Sequence, residues 1–150
     1  MIEITKDIKY IGVDDLDIDL FESQYIVPNG ISYNSYVILD EKIAVMDTVD
    51  SRKSSEWWIN LERELGGKTP DYLVVHHMEP DHAGLIGEFV KKFPEAKIVA
   101  TDKAVKMLPL YNDSIDFSDK TIVVKENDTL SLGEHTLQFI MAPMVHWPEV

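Results

Sequence analysis

The residues that could do chemistry are concentrated in one stretch, His76-His77-Met78-Glu79-Pro80-Asp81-His82. It contains three of the five histidines and two carboxylates, and it follows a short apolar run, 71–75. Alternate residues of an extended segment point to one side, so His77, Glu79 and Asp81 direct an imidazole and two carboxylates the same way. Buried carboxylates without partners are costly, so a cation is expected among them. The spacing predicts a metal site rather than a solvated polar loop.

The available donor atoms restrict which metal sites are possible. The chain contains no cysteine, which excludes disulfides, thiolate zinc sites, iron–sulfur clusters and cysteine nucleophiles from it. Any metal ion must therefore be bound through nitrogen and oxygen atoms.

Length and charge restrict the class of protein. The 150 residues are enough for one domain, and the net charge of −13 disfavours nucleic acid and anionic membranes as partners. No apolar run approaches the ~20 residues that span a bilayer. The first residues, 1–4, lack the basic and apolar regions of a signal peptide. We therefore expect a cytoplasmic protein with no nucleic-acid or membrane partner.

Short alternating strands and helices must position the polar stretch, which indicates the α/β class. Strands are predicted from β-branched and apolar runs, and helices from apolar residues at helical spacing. Trp57 and Trp58 are predicted to anchor the core. The predicted elements are a hairpin over 35–39 and 42–46, a helix over 50–65 ended by Gly66-Gly67, a strand over 71–75, helical spacing over 85–93, a strand over 97–100, a helix over 103–108 closed by Pro109, a strand over 121–124, and a hairpin over 129–132 and 136–140 before a loop that carries His146.

Three motifs in the expected order resemble one known family. The polar stretch resembles the His-x-His-x-Asp-His loop of the metallo-β-lactamase superfamily with its second histidine replaced by Glu79, as in the flavodiiron proteins, also called A-type flavoproteins. Met46-Asp47-Thr48 resembles the superfamily's first motif. Pro143-Met144-Val145-His146-Trp147-Pro148-Glu149 resembles the flavodiiron loop that bears the next histidine. The resemblance covers essentially the whole chain.

The resemblance implies a non-haem di-iron site. His77, Glu79 and His146 correspond to ligands of one iron ion, and Asp81 and His82 to ligands of the other. In some members the histidine equivalent to His82 is turned away and replaced by water. A carboxylate in place of an imidazole makes the ligand set harder, which favours redox-active iron over hydrolytic zinc.

Other residues are given supporting roles. By resemblance, Asp47 supports the metal loop from outside the ligand set. His76 is expected to orient or pack against that loop, His135 to lie on the surface, and Trp147 to belong to the core or to cover the site. Ala83 stands where the family most often has serine, which is expected to alter hydrogen bonding around the loop and not metal binding.

The implied activity is reduction of dioxygen to water, of nitric oxide to nitrous oxide, or of both, with electrons from FMN. In the family a rubredoxin or a flavin reductase feeds the FMN, and a head-to-tail homodimer brings one subunit's flavin near the other's iron pair. Two alternatives stay open. One is a zinc-dependent hydrolase of the glyoxalase II or lactonase kind, which uses a metal-bound hydroxide. The other is a non-catalytic fragment or assembly partner.

The resemblance also implies that residues 1–150 form a partial domain. The superfamily fold is an αββα sandwich of two similar halves, and this chain is expected to supply the first half only. A bridging aspartate, a final histidine and the flavodoxin-like FMN domain are expected to be missing. The chain is then a truncated or split gene product, a piece of a longer protein, or a fragment that pairs with a second chain. A bare inner apolar face and self-association are expected.

Overall fold

Short strands and helices build the part of the chain that the computed structural model describes, residues 4–150. The strands are β1 (Ile8–Tyr10), β2 (Val13–Asp15), β3 (Leu20–Phe21), β4 (Tyr25–Ile26), β5 (Ile31–Tyr33), β6 (Tyr36–Ile38), β7 (Ala44–Met46), β8 (Tyr72–Val74), β9 (Lys97–Thr101), β10 (Thr121–Val124), β11 (Thr129–Ser131) and β12 (Thr136–Gln138). The α-helices are α1 (Ser54–Leu65), α2 (Pro80–Ala83), α3 (Ile86–Lys92) and α4 (Asp102–Tyr111), and a 3-10 turn at Ser51–Lys53 precedes α1. The α/β class predicted from the sequence is confirmed.

A six-stranded sheet in the order β1-β6-β7-β8-β9-β10 forms the frame of the molecule. β1, β6 and β7 pair antiparallel, whereas β7, β8, β9 and β10 run parallel. Parallel strands end at a common edge of the sheet, so the loops after β7, β8 and β9 leave the sheet side by side. This edge holds the polar stretch found in the sequence.

The two faces of the sheet bury different sets of apolar residues, because successive side chains of a strand point to opposite sides. Val37, Val45, Leu73 and Ile98 contribute to the larger core. The helices cover this face, with Trp57, Leu61, Ile86 and Phe89 fully or almost fully buried. The opposite face presents Ile38, Ala44, Val74, Val99 and Val124.

Helix α1 begins later than the spacing predicted. Asp50 caps the 3-10 turn by accepting a hydrogen bond from the Arg52 N–H, so regular helix starts at Ser54. Its end at Gly66 is as predicted, because this glycine adopts a left-handed φ of 57°. Trp57 is fully buried, whereas Trp58 is partly buried and donates its indole N–H to Glu88 at 3.0 Å. The prediction of a core anchor is therefore confirmed in full for Trp57 alone.

The hairpin of β11 and β12 covers part of the second face of the sheet. The side chains of Leu130, Leu137 and Phe139 pack against it, and Leu132 is fully buried. The expectation of a bare inner face is therefore wrong for this region. A cavity of about 380 Å³ remains open there, lined by the apolar or aromatic residues Ile8, Tyr36, Ile38 and Met46 and by the polar residues Asn34, Asp47, His76 and His82.

The carboxylate of Asp40 attaches that hairpin to the turn between β6 and β7. It accepts hydrogen bonds from the backbone N–H groups of Glu134 and His135 and pairs with the His135 ring at 2.8 Å. The Lys42 N–H also donates to the Leu132 carbonyl. The His135 side chain is thus 32% exposed, at the edge of the surface where it was expected, but it is paired with Asp40, a contact that was not predicted.

Helix α4 also differs from its predicted bounds, since it runs through Pro109 to Tyr111. A proline lacks an N–H, but its fixed φ is compatible with a helix, and near the last turn only one hydrogen bond is lost. The short strands β1 to β5 were not predicted. No helix within residues 4–150 is long and apolar enough to span a bilayer.

Candidate metal centre

Three segments meet at the carboxyl edge of the parallel strands. Asp47 directly follows β7, His77 lies three residues beyond β8, and the segment 142–150 folds across the end of β9. Thr101, the last residue of β9, donates its hydroxyl to the Glu149 carbonyl at 3.0 Å. The sheet therefore brings together side chains that lie far apart in the sequence.

His77, Glu79 and His146 form a compact cluster. The His77 Nε2 atom lies 2.8 Å from Glu79 Oε2 and 2.8 Å from His146 Nε2. His146 Nε2 is 3.2 Å from Glu79 Oε2. One donor atom from each residue lies within 4.8 Å of the other two, the arrangement needed to hold a single metal ion. The structure thus gathers three of the five residues expected to be ligands.

Burial of this cluster is uneven. His77 and Glu79 are buried, with relative exposures of 8% and 5%, whereas the His146 side chain is 61% exposed. The cluster is closed on the side of the sheet and open on the side of His146. Trp147 is partly buried, and its ring meets the His77 ring edge-on, with the centroids 5.2 Å apart.

Asp81 and His82 lie beside the cluster, at the start of helix α2. Asp81 Oδ2 is 3.6 Å from His82 Nε2, and the rings of His82 and His77 are 5.4 Å apart between centroids. Asp81 Oδ1 is buried and has no hydrogen-bond partner within residues 4–150. Burial raises the pKa of the Asp81 carboxyl. These two residues are adjacent to the three-residue cluster but are not members of it.

Asp47 holds two histidines at the edge of the sheet. Its carboxylate accepts the His76 backbone N–H at 2.7 Å and lies 2.9 Å from His82 Nδ1 and 3.2 Å from His76 Nδ1. Burial by itself raises the pKa of Asp47, but the hydrogen bonds with His76 and His82 outweigh it and lower the pKa. Asp47 adopts a φ of 58°, a left-handed conformation that aspartate tolerates better than most residues.

The next residue, Thr48, joins the same two loops. Both its backbone N–H and its hydroxyl donate to the His82 carbonyl at 2.8 Å, and the Leu85 N–H donates to the hydroxyl. Gly84 lies so close to the neighbouring loop that an added Cβ would be 2.8 Å from the Val49 carbonyl oxygen. The position of His82 is therefore set by the loop that follows β7.

Glu149 belongs to the centre, although no role was predicted for it from the sequence. It is 2% exposed, and its Oε1 atom lies 2.8 Å from His77 Nδ1 and accepts the Met78 N–H at 2.9 Å. The signal in the sequence was a lone carboxylate in the otherwise apolar and aromatic segment around His146. A second unrecognised contact comes from Tyr111, whose hydroxyl donates to the Met78 carbonyl.

The donor set of this centre fits a metal ion. Two imidazole nitrogens and one carboxylate oxygen converge at hydrogen-bond distance, two of them from buried residues, and a buried acceptor, Asp81 Oδ1, lacks a donor within residues 4–150. A cation would satisfy these acceptors together, and ligands of this kind suit iron as well as zinc.

Comparison with known proteins agrees with this geometry. Residues 31–150 match the family model described as ODP family beta lactamase. The chain is 33% identical over 150 residues to an anaerobic nitric oxide reductase flavorubredoxin of Vibrio vulnificus, covering 99% of this chain and 30% of that relative. It is 35% identical over 149 residues to an uncharacterized protein of Methanocaldococcus jannaschii, covering 99% of this chain and 37% of that relative.

Solved structures show the same likeness. The flavodiiron protein from Giardia intestinalis superposes with a TM-score of 0.89 at 31% identity, over 98% of this chain and 35% of that one. The rubredoxin oxygen:oxidoreductase from Desulfovibrio gigas gives a TM-score of 0.91 at 30% identity, over 99% of this chain and 36% of that one. The chain thus spans about a third of the length of these proteins.

Proposed function

We propose that this chain, which belongs to the ODP family of beta-lactamase-like domains, supplies the metal-binding part of a di-iron oxidoreductase. The proposed reaction is reduction of dioxygen to water, of nitric oxide to nitrous oxide, or of both. The single observation that carries the proposal is the convergence of His77, Glu79 and His146 on one point. Residues 1–150 are proposed to be part of a larger metallo-β-lactamase-like domain.

The proposed cofactor is a pair of iron ions. His77, Glu79 and His146 would hold one ion, and Asp81 and His82 the other. When bound, ferrous iron supplies electrons to the small neutral substrate. Glu79 contributes a negative charge that offsets the charge of the cation and favours iron that changes oxidation state.

The remaining residues of the centre orient and shield these ligands. Asp47 holds the His82 ring by its Nδ1 atom, which leaves Nε2 directed towards Asp81. Trp147 packs edge-on against His77 and excludes water from that side. The exposed side of His146 leaves an approach for the substrate.

The proposed electron path and partners follow the relatives. FMN is the proposed immediate donor, and a rubredoxin or a flavin reductase is the proposed source of its electrons. A second copy of the chain, or a second segment that completes the domain, is the proposed structural partner. The similar protein from Desulfovibrio gigas is a rubredoxin oxygen:oxidoreductase, which supports rubredoxin as the donor and oxygen as a substrate.

Anaerobic loading with ferrous iron tests the proposal. The chain, Glu79→Ala, His77→Ala and the control His135→Ala are loaded, and bound metal is measured by elemental analysis. The control removes a histidine that pairs with Asp40, away from the three-residue cluster. We expect the two ligand variants to lose bound iron and the control to keep it, since deleting a ligand breaks the donor set. Retention of zinc alone under iron-replete conditions, or unchanged iron in both ligand variants, contradicts the proposal.

Consumption of substrate gives a second measurement. Loss of dissolved nitric oxide or dioxygen is followed for the iron-loaded chain with reduced FMN, alone and mixed with the segment that completes the domain. We expect consumption to require iron and to be lost in Glu79→Ala. Consumption that is equal with and without iron is the contrary result.

A further inference from the structure

A buried carboxylate outside the proposed ligand set contacts the central histidine of the cluster. Glu149 Oε1 lies 2.8 Å from His77 Nδ1, on the side of the ring opposite to Glu79 and His146. We propose that Glu149 is a positioning residue, which fixes the proton on His77 Nδ1 and so presents the Nε2 lone pair to the metal. The inference rests on the proposed metal site and adds to it a residue that orients one ligand.

The proton assignment follows from the partners of the two ring nitrogens. A carboxylate can only accept a hydrogen bond, so Nδ1 must carry the proton in the contact with Glu149. The neutral ring then has its lone pair on Nε2, which faces the Glu79 carboxylate at 2.8 Å. Two acceptors at that distance need a cation between them, either a proton or a metal ion. Glu149 thereby makes His77 ready to bind metal through Nε2.

Glu149 is itself held firmly. The Met78 N–H donates to the same Oε1 atom at 2.9 Å, and the Thr101 hydroxyl donates to the Glu149 carbonyl at 3.0 Å. The Ala142 N–H closes the segment by donating to the Val150 carbonyl. A buried carboxylate requires such compensation, and the hydrogen bonds to its side chain and to its backbone carbonyl keep Glu149 aligned with His77.

The negative charge of Glu149 acts on His77 in particular. Its second oxygen, Oε2, is buried and has no hydrogen-bond partner within residues 4–150. The carboxylate is 2% exposed, so water screens its charge weakly. A carboxylate that accepts from the far nitrogen of a ligating imidazole makes the near nitrogen a stronger metal donor.

The placement of Glu149 also joins two ligand loops. It lies three residues after His146, so one short segment supplies both a proposed ligand and the group that orients His77. Within this segment His146 adopts a φ of 55° and Met144 a φ of 66°. Non-glycine residues rarely adopt such values, and a closed loop is needed to hold them. Removing Glu149 would therefore release His77 while leaving the donor atoms of the cluster present.

Three variants distinguish orientation of the His77 ring by Glu149 from a general effect of Glu149 on the stability of the segment 142–150. Glu149→Ala removes the carboxylate, and Glu149→Gln keeps the size and an acceptor oxygen but removes the charge. Thr101→Val is the matched control, because it loosens the same segment without touching the carboxylate. Ferrous affinity is measured anaerobically by competition with a chelator. The His77 Nδ1 proton is observed by 15N-resolved NMR of the metal-free chain, and folding is verified by circular dichroism.

We expect Glu149→Ala to weaken ferrous binding about 10–100-fold, the usual effect of removing a group that orients a ligand. Its His77 Nδ1 proton should exchange too fast to be observed. Glu149→Gln should keep that proton and lose less affinity, and Thr101→Val should keep both. If Glu149→Ala fails to fold, Glu149→Gln decides, since a weaker affinity with the proton retained supports the role of the charge.

Unchanged ferrous affinity in the folded Glu149 variants overturns the inference. A loss of ferrous affinity in Thr101→Val as large as that in Glu149→Ala also overturns the inference. If the unaltered chain binds no ferrous iron, the proposed function fails, but the His77 Nδ1 proton still tests the contact in the metal-free chain. A proton that persists in Glu149→Ala overturns the assignment whatever the iron result.

Discussion

Two aspartates of this chain form nearly the same set of contacts at opposite ends of the sheet. Asp47 and Asp40 each accept the backbone N–H of a histidine and pair with a histidine ring, His82 in one case and His135 in the other. Asp47 lies beside the proposed metal centre, whereas Asp40 attaches a hairpin. The same chemistry therefore serves a site at one end and packing at the other.

This similarity leads to a prediction for Asp47→Ala. The substitution leaves the part-buried His76 N–H without its acceptor and frees the His82 ring, so the free energy of unfolding should fall by about 1–3 kcal/mol. Urea unfolding measures this loss. Asp40→Ala should also destabilise the chain but should leave ferrous affinity unchanged, whereas Asp47→Ala should lower it. Equal affinity in the two variants would contradict a role for Asp47 in orienting the metal loop.

Asp40 also predicts how stability depends on pH. Hydrogen bonds from the His135 backbone N–H foremost, and from Glu41 and Glu134, lower the pKa of its carboxyl in the folded chain. A group whose pKa is lowered by folding stabilises the fold above its unfolded pKa, about 3.9 for aspartate, and loses that effect as the pH falls. The gap in unfolding free energy between the unaltered chain and Asp40→Asn should be full at pH 7 and shrink below about pH 4. A gap that widens in acid contradicts the assignment.

For individual residues, type and spacing in the sequence identified the candidate metal ligands but not their hydrogen-bond partners. His77, Glu79 and His146 were predicted as ligands, and the structure brings them together. Their roles as iron ligands remain predictions. Glu149 received no role because its contact with His77 spans 72 positions, and no local pattern marks such a pair. The pairing of His135 with Asp40 was missed for the same reason, since the two residues are 95 positions apart.

Among the secondary-structure elements, helix α2 is short and its place is set by close backbone contacts. A Cβ on Gly84 would lie 2.7 Å from the Pro80 oxygen, 2.8 Å from the Val49 oxygen and 2.9 Å from the Ser51 nitrogen. Backbone atoms cannot move aside as a flexible side chain can. The loop after β7 and the helix that carries His82 are therefore fitted to one another.

Gly84→Ala should push helix α2 away from the loop that follows β7. We expect a loss of about 1–3 kcal/mol in unfolding free energy, the usual cost of overpacking, and a weaker ferrous affinity because the metal loop shifts. Thermal unfolding and chelator competition measure the two effects. The control is Gly87→Ala in α3, where the three atoms nearest to the added Cβ all belong to the side chain of Asn112, which can move aside. A larger effect in Gly87→Ala than in Gly84→Ala is the contrary outcome.

Helices and strands could be predicted where apolar residues recur at a regular spacing in the sequence. The hairpin of β6 and β7, helix α1 and strands β8 to β10 were found from alternation or helical spacing. Strands β1 to β5 were missed because each has only two or three residues and their region is rich in aspartate. Asp15 is fully buried there because Tyr33, Arg52 and Lys53 lie around its carboxylate. Those partners come from other elements, which spacing within the strand cannot indicate.

For the whole molecule, the open part of the second sheet face is the feature with the widest consequence. Its apolar lining is Ile8, Tyr36, Ile38 and Met46, and no residue of the hairpin of β11 and β12 lines it. Contiguous apolar surface of this kind favours association. The net charge of −13 opposes the approach of a second copy, so the balance between the two depends on salt.

We predict that the chain self-associates through this face, and more strongly at high salt. Sedimentation velocity over a range of concentrations measures it. Ile8→Lys places a charge at the edge of the open face and should shift the chain towards monomer. Ile59→Lys alters an exposed apolar residue of α1 on the helical side and should have no effect. A compact monomer at all concentrations and salt levels contradicts the prediction.

The separation of the proposed ligands along the chain has a consequence for when the proposed iron could be taken up. His77 must meet His146 across 69 positions, and His82 must meet Asp47 across 35. Closing such loops costs entropy that is recovered only once the sheet between them is paired. The proposed donor set is therefore assembled only after the sheet has paired, and we expect uptake of the proposed iron to follow folding. Iron supplied during refolding should bind at the pace of sheet formation and should not accelerate it.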